Sequence, residues 1–537
     1  MASTANLRSR RSAAQLHALA GVEREIRALD SHSRRKYLRE FNQAFRRYDA
    51  VLNAEQLEGE IRSADVVLVA DYHALPSAQR YAANLIEQRA MVGDRPVVLG
   101  VETIFSRDQH IVDEWWRREI DDGELRQRIR FDLDWGYDWA PFHEVLVTAR
   151  DHGEGVYGLD CMPREDLRKI GARDRHAAVK ICEIRERHPG AVIFVLFGES
   201  HLAPGHLPRA LREIMPGAKI LTILQNIDAL YWRAAGEHTD KVEAVQVREN
   251  VVCVFNATPL EKYESYRLCL DQWSRCDNDP DFAPTIYNLI DSLAGFLEIN
   301  RYSPHNGTQP KFLIDMLPEV HGAESDSTLQ RLLLRRGISP QDAVGLLAAM
   351  GDRGSVYLPH VNAFCIRQFQ MIHAAEDVAR FLHHACQGLP HSTPRREHSD
   401  SASETATDEN IALQSFFARV VENAVAYLGS RVLYPARPAF AESELPPFTR
   451  SACENAGLSA IRAGGDKVEA AADEWGFRIG SRTYDAYLAG IVTPQGLRRV
   501  FLAHLDEPGV ARKICSTMIA KVRSVPASLS HAAHAGK

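Results

Sequence analysis

Between residues 64 and 256, short runs of β-branched and aliphatic residues (66–70, 97–101, 156–159, 193–197 and 220–224) alternate with amphipathic stretches of helical period. Runs this short and this uniformly apolar are buried on both faces, which requires a parallel sheet wound with helices on either side. The expected fold class is therefore α/β, a mostly parallel sheet with helices on both faces, followed by mainly α-helical C-terminal regions. Residues 251–255 read as a late edge strand.

The rest of the chain divides by pattern. Leu16, Leu19, Val22, Ile26 and Leu29, then Phe41, Phe45 and Leu52, recur at helical spacing, so residues 1–60 read as a helical N-terminal arm leading into an α/β domain over 61–260. Residues 281–389 read as a helical domain with a clear start at Ser339-Pro340. Within it, His373 with Asp377 and Glu376 with Arg380 read as exposed pairs one turn apart, and His383-His384 as a surface doublet. Residues 390–410 have almost no apolar side chains to offset the entropy of ordering and read as a flexible linker. A helical domain over 411–525 follows, in which Leu413, Phe416, Phe417, Val420, Val421, Ala424, Val425 and Leu428 form one apolar stripe. Core packing and a partner helix both remain open for that stripe.

With 537 residues the chain exceeds one ordinary core, so a single site need not account for all of it. A net charge of -7 gives the whole molecule no attraction to nucleic acid or anionic lipid, although the first fifty residues are locally basic. Nine cysteines without CxxC spacing argue against a disulfide framework and fit a reducing compartment. Residues 1–22 lack a continuous apolar segment and a lipobox cysteine, so a cytoplasmic location is expected. The longest apolar run, 191–198, is far shorter than the roughly 20 residues that span a bilayer. A homodimer is left open.

Chemistry concentrates in two segments that resemble each other, VVLVADYHALP (66–76) and VIFVLFGESHLAP (192–204). Each is a buried strand ending in acid-x-His, with a proline three residues past the histidine. In extended backbone the side chains at i and i+2 share a side, so Asp71 is expected beside His73, and Glu199 beside His201. Two further strands end in Glu102 and Asp160. All of these lie at the carboxyl ends of their strands, where open α/β sheets build sites. Crowded carboxylates hold protons at raised pKa or bind a neutralising cation. Oxygen and imidazole donors without thiolate favour a hard or borderline divalent metal, for which Asp71, His73, Glu102, Asp160, Glu199 and His201 are the candidate ligands. Without metal, His73, Glu102, Glu199 and His201 are candidates for general acid and base catalysis.

These segments, in this order, resemble the ChaN-like haem-binding uptake, Tiki and erythromycin-esterase superfamily. VVLVADYH looks like the opening GExH strand of ChaN-like proteins, VVLGVETIF like the second strand with its single glutamate, and WGYDWAPFHEVLVTAR (135–150) like the aromatic-proline helix. GLD is similar to the third strand end, ARDRHAA (172–178) to the Arg-Asp helix start, and FGESHLAPGHLPRAL (197–211) to the late GxxH segment with His206 in its loop. The likeness covers roughly residues 64–230, and Ala70-Asp71 stands where the family has Gly-Glu.

The resemblance implies haem, or iron and another divalent metal, bound in a His/carboxylate crevice. Tyr72, Trp139, His143, Arg173 and His206 are the further candidates to touch such a ligand, with Phe142 in the same aromatic wall. His110 and Cys161 are additional possible ligands. Arg173 and Asp174 read either as an ion pair at the helix start or as an anion-binding arginine facing the acids. The alternative function is a hydrolase of ester or peptide bonds, resembling erythromycin esterases or Tiki peptidases, in which histidine and glutamate activate water. A third is a scaffold whose helical regions bind a protein partner. The small-molecule partner is accordingly haem or an ester or peptide substrate, with no nucleic acid.

Overall fold

A computed structural model describes residues 4–30, 41–162, 170–238, 242–274, 281–299, 317–322, 326–335, 337–387, 404–435, 437–440 and 447–523. These fall into two compact units, one of residues Ile26–Leu270 and one combining Met1–Glu25 with Asp271–Lys537. The N-terminal arm read as one piece is therefore divided. Its helix Thr4–Leu29 lies for the most part with the second unit, while the helix Ala54–Ser63 belongs to the first.

The α/β unit is built on eight strands: β1 (Ala50–Leu52), β2 (Val66–Asp71), β3 (Val97–Phe105), β4 (Gly155–Asp160), β5 (Val192–Gly198), β6 (Ile220–Gln225), β7 (Ala244–Arg248) and β8 (Val251–Val254). Their order across the sheet is β1-β7-β8-β6-β2-β5-β3-β4. The run from β8 to β4 is parallel, and β7 pairs antiparallel with both β8 and β1. The expected α/β class holds, with one correction: β8 is interior, because the hairpin strand β7 covers its outer side.

Alternation of side chains feeds two cores. Val67 and Val69 pack with the helices Pro76–Val92, Gln109–Trp116 and Trp139–His152 on one face. Val66, Leu68 and Ala70 pack with Ile170–Arg187, Leu207–Ile214 and Asp228–Glu237 on the other. The outermost strand β4 does not leave its edge open. Gln109 donates to the Val156 carbonyl and accepts from the Gly158 amide, both at 2.9 Å, so one side-chain amide substitutes for a neighbouring strand.

The second unit is mainly helical, yet the stretch expected to be only helical contains a three-stranded sheet, β9 (Glu319–His321), β10 (Ser355–Leu358) and β11 (Ala363–Ile366), ordered β10-β11-β9. The apolar stripe lies on the helix Glu404–Leu433 and is buried throughout, against Met371–Gln387, Lys467–Leu488 and Val510–Val522. Core packing thus accounts for it. Approach to Lys467–Leu488 is so close that a Cβ on Gly476 would overlap Asn423. Residues 404–410 of the expected linker are helical, and 390–403 lie outside the described residues.

Glu376 and Asp377, read as exposed, are fully buried. Glu376 pairs with Arg353 and Arg437, and Asp377 accepts from Ser355 at 2.8 Å. His383 is buried rather than superficial, and burial takes its imidazole down to about 3. Helical spacing alone does not say which face of Met371–Gln387 is covered.

Candidate functional site

Strands β2, β5, β3 and β4 are consecutive neighbours with parallel register, so their carboxyl ends share one edge; Asp71 stands opposite Gly198, and Asp160 opposite Phe105 past a bulge in β3. That register places Asp71, Glu102 and Asp160 near one another, all buried. Buried carboxylates need partners, and each has one.

Asp71 accepts from Gln79 through one oxygen and meets His73 Nδ1 at 2.8 Å through the other. Asp174, on the helix Ile170–Arg187, holds two imidazoles at once: His201 Nδ1 at 2.5 Å and His206 Nδ1 at 2.8 Å. Glu102 lies between these two Asp–His arrangements. One of its oxygens accepts from the Gly198 amide at 2.6 Å, and the other accepts from Arg173 at 2.6 Å and lies 3.6 Å from His201 Nε2. Gly198 is the tight point, since a Cβ there would come within 2.9 Å of Glu102 Oε2 and 3.2 Å of His73 Nε2. Both imidazoles, each oriented through Nδ1, are thereby set around one carboxylate.

Arg173 is the counter-charge. Its guanidinium donates to Asp160 at 2.8 and 3.0 Å as well as to Glu102, a planar fork matched to two carboxylates. The neighbouring Asp174 turns away to the histidines, so Arg173 and Asp174 do not pair with each other. Burial alone would raise the Glu102 carboxyl, but His201, His73 and Arg173 outweigh it and bring it down to about 2. Asp174 is likewise lowered: burial is opposed and outweighed by hydrogen bonds from His201 and His206. Desolvation works against the charge on Arg173, yet Glu102 and Asp160 keep it firmly protonated.

Glu199 does not join His201. After Gly198 the chain leaves extended backbone for a 3-10 turn, Glu199–Leu202, and the i, i+2 rule lapses. Glu199 instead pairs at 3.0 Å with Lys262, a buried lysine on Pro259–Ser274. Burial lifts the Glu199 carboxyl despite Lys262, and Glu199 and Asp228 hold the Lys262 ammonium charged against its own desolvation. Tyr72 belongs to this second cluster, its ring 4.5 Å below the Lys262 Nζ.

Aromatic residues wall His73, but not those expected. Trp135 and Tyr137 lie 4.5 and 5.3 Å from its ring, centroid to centroid. Trp139 packs on Phe131 and stacks on His143, which meets Asp122 at 3.1 Å; Phe142 is core. His110 is exposed, and Cys161 only donates its backbone amide to Asp160. Of the expected residues, then, Asp71, His73, Glu102, Asp160, Arg173, His201 and His206 form one network, Tyr72 and Glu199 a neighbouring one, and Trp139 and His143 neither. Of the two expectations for Arg173 and Asp174, the arginine facing the acids is the one the geometry shows, while Gln79, Trp135, Tyr137 and Lys262 were not among the expected residues. Trp135 and Tyr137 lie in the quoted aromatic segment, whereas nothing local marks Lys262.

A divalent ion on Glu102 and Asp160 would compete with Arg173 for the same oxygens, and among the described residues no three His, Cys, Asp or Glu side chains are grouped to hold a metal ion. Imidazole held by carboxylate beside aromatic rings suits a flat organic ligand carrying its own metal.

The family comparison agrees with the resemblance read from sequence. Residues 57–180 match the family described as haem-binding uptake, Tiki superfamily, ChaN. The solved structure titled "Cofacial heme binding to ChaN of Campylobacter jejuni" is similar over 33% of this chain and 86% of that one, with 13% identity and a TM-score of 0.26. No curated protein matches the chain. Among the described residues no helix is long and apolar enough to cross a membrane.

Proposed function

We propose, from the haem-binding uptake family that residues 57–180 match, that the α/β unit binds haem at the carboxyl edge of its sheet, with His73 offered to the iron. One observation carries this reading. Of the two imidazoles oriented by carboxylates around Glu102, His73 is the one reachable from solvent, its side chain 23% exposed against 5% for His201. Asp71 on Nδ1 selects the tautomer protonated there and leaves Nε2 as the basic nitrogen of the ring, which makes it a better donor. Trp135 and Tyr137 supply apolar surface beside it. Arg173, Asp160 and Asp174 act behind this face by fixing Glu102 and His201. Bound haem would supply the iron; the chain supplies position and a covered, polar floor.

Hemin titrated into the full chain should give a saturable shift of the Soret band that His73→Ala weakens strongly and His206→Ala weakens little. Equal spectra for wild type and His73→Ala would reject the assignment.

A second reading, hydrolysis of an ester or peptide bond, is favoured by the position of Glu102 against His201 and close to His73, an arrangement able to pass a proton. Turnover of an ester and peptide panel that disappears in Glu102→Gln, with folding retained, would support it. No turnover by wild type would remove it.

A further inference from the structure

A separate cavity of about 330 Å³ opens on the face of the α/β unit that carries Leu207–Ile214, between that helix and strands β6 and β8. Its volume is that of a small-ligand site. Three cationic residues line it from three places: Arg212 on the helix, Lys219 just before β6, whose ammonium also donates to Ser63 Oγ at 2.6 Å, and Arg248 at the end of β7. Among the described residues neither arginine is paired with a carboxylate. Arg212 donates weakly to the Pro204 carbonyl at 3.4 Å, and Arg248 lies 5.4 Å over the Phe45 ring. Burial, and then the charge of Arg212, make the Arg248 guanidinium harder to keep charged. Two like charges thus share the lining of one cleft, with Arg248 partly desolvated, an arrangement that an incoming anion relieves.

We propose that this cleft binds a phosphate monoester with a compact organic body. Two guanidiniums and an ammonium match a dianion with three terminal oxygens, and Pro204, Ile220 and Val251 provide an apolar wall for the rest of the molecule. The exposed Glu249 at the rim disfavours larger polyanions and can accept a hydrogen bond from a hydroxyl or amine on the organic part. Pro204 lies between His201 and His206, so a ligand here rests on the loop that carries both histidines to Asp174. The cleft is distinct from the haem-binding edge, and its assignment stands or falls separately.

Calorimetric titration of the full chain with adenosine 5′-monophosphate, inorganic phosphate and octanoate tests the proposal. Saturable binding of the nucleotide, at least about tenfold weaker for inorganic phosphate and again about tenfold weaker in Arg212→Met and in Arg248→Met, is the expected result, one charge-assisted contact corresponding to about that factor. Arg212 is exposed, so its variant retains the wild-type melting temperature and separates lost binding from lost folding. Absence of saturable nucleotide binding, wild-type affinity retained in both arginine variants, or preference for octanoate would each overturn it.

Discussion

The Gly198 amide donates to the Glu102 carboxylate at 2.6 Å, joining the end of β5 to β3 beside His73. Gly198→Ala would press a methyl group against Glu102 and His73, and neither has slack. We expect a loss of about 1–3 kcal/mol in stability, the usual range for overpacking, read from urea denaturation, together with weaker hemin binding.

Arg173 donates to both Glu102 and Asp160 and offsets their buried charge. Arg173→Met leaves two buried carboxylates without it and should destabilise the protein by about 3–5 kcal/mol. Arg173→Lys should recover only part of this, because one ammonium cannot reproduce the bidentate fork. Thermal unfolding of the three proteins at pH 7 checks the order.

Acid stability follows from the Glu102 carboxyl. Its folded value of about 2 lies below the ordinary 4.5, so the stability it contributes is complete above pH 4.5 and is lost as pH falls toward 2. Asp174 is shifted in the same direction. In that window the stability of wild type should fall more steeply with acidification than that of Glu102→Gln; parallel curves would show that Glu102 does not carry the shift.

Trp139 and His143 were expected beside the ligand, and their contacts with Phe131 and Asp122 turn them elsewhere. His143→Ala should therefore leave hemin affinity unchanged within about twofold, as for surface changes away from a site. Asp71→Asn, by contrast, removes the group that orients His73 and should weaken binding by about 10- to 100-fold.

What the sequence made legible here is whatever depends on local period. The five apolar runs emerged as parallel strands, and the strand-end rule brought Asp71, Glu102 and Asp160 together because register in a parallel sheet fixes which ends align. It failed one residue beyond that regularity: Glu199 and His201 sit in a 3-10 turn and part company. Partnerships made across the fold, such as Lys262 with Glu199 or Asp174 with two histidines, leave no local trace. The same limit explains β8, whose interior position depends on β7 folding back over it, and Glu376, whose burial depends on Arg353 and Arg437 from other parts of the chain.

In the proposed complex His73 is the group presented to the bound iron. Low-temperature electron paramagnetic resonance of the ferric haem complex should show imidazole ligation in wild type and in His143→Ala, and its loss in His73→Ala. The same imidazole signature persisting in His73→Ala would place the iron elsewhere and contradict the assignment.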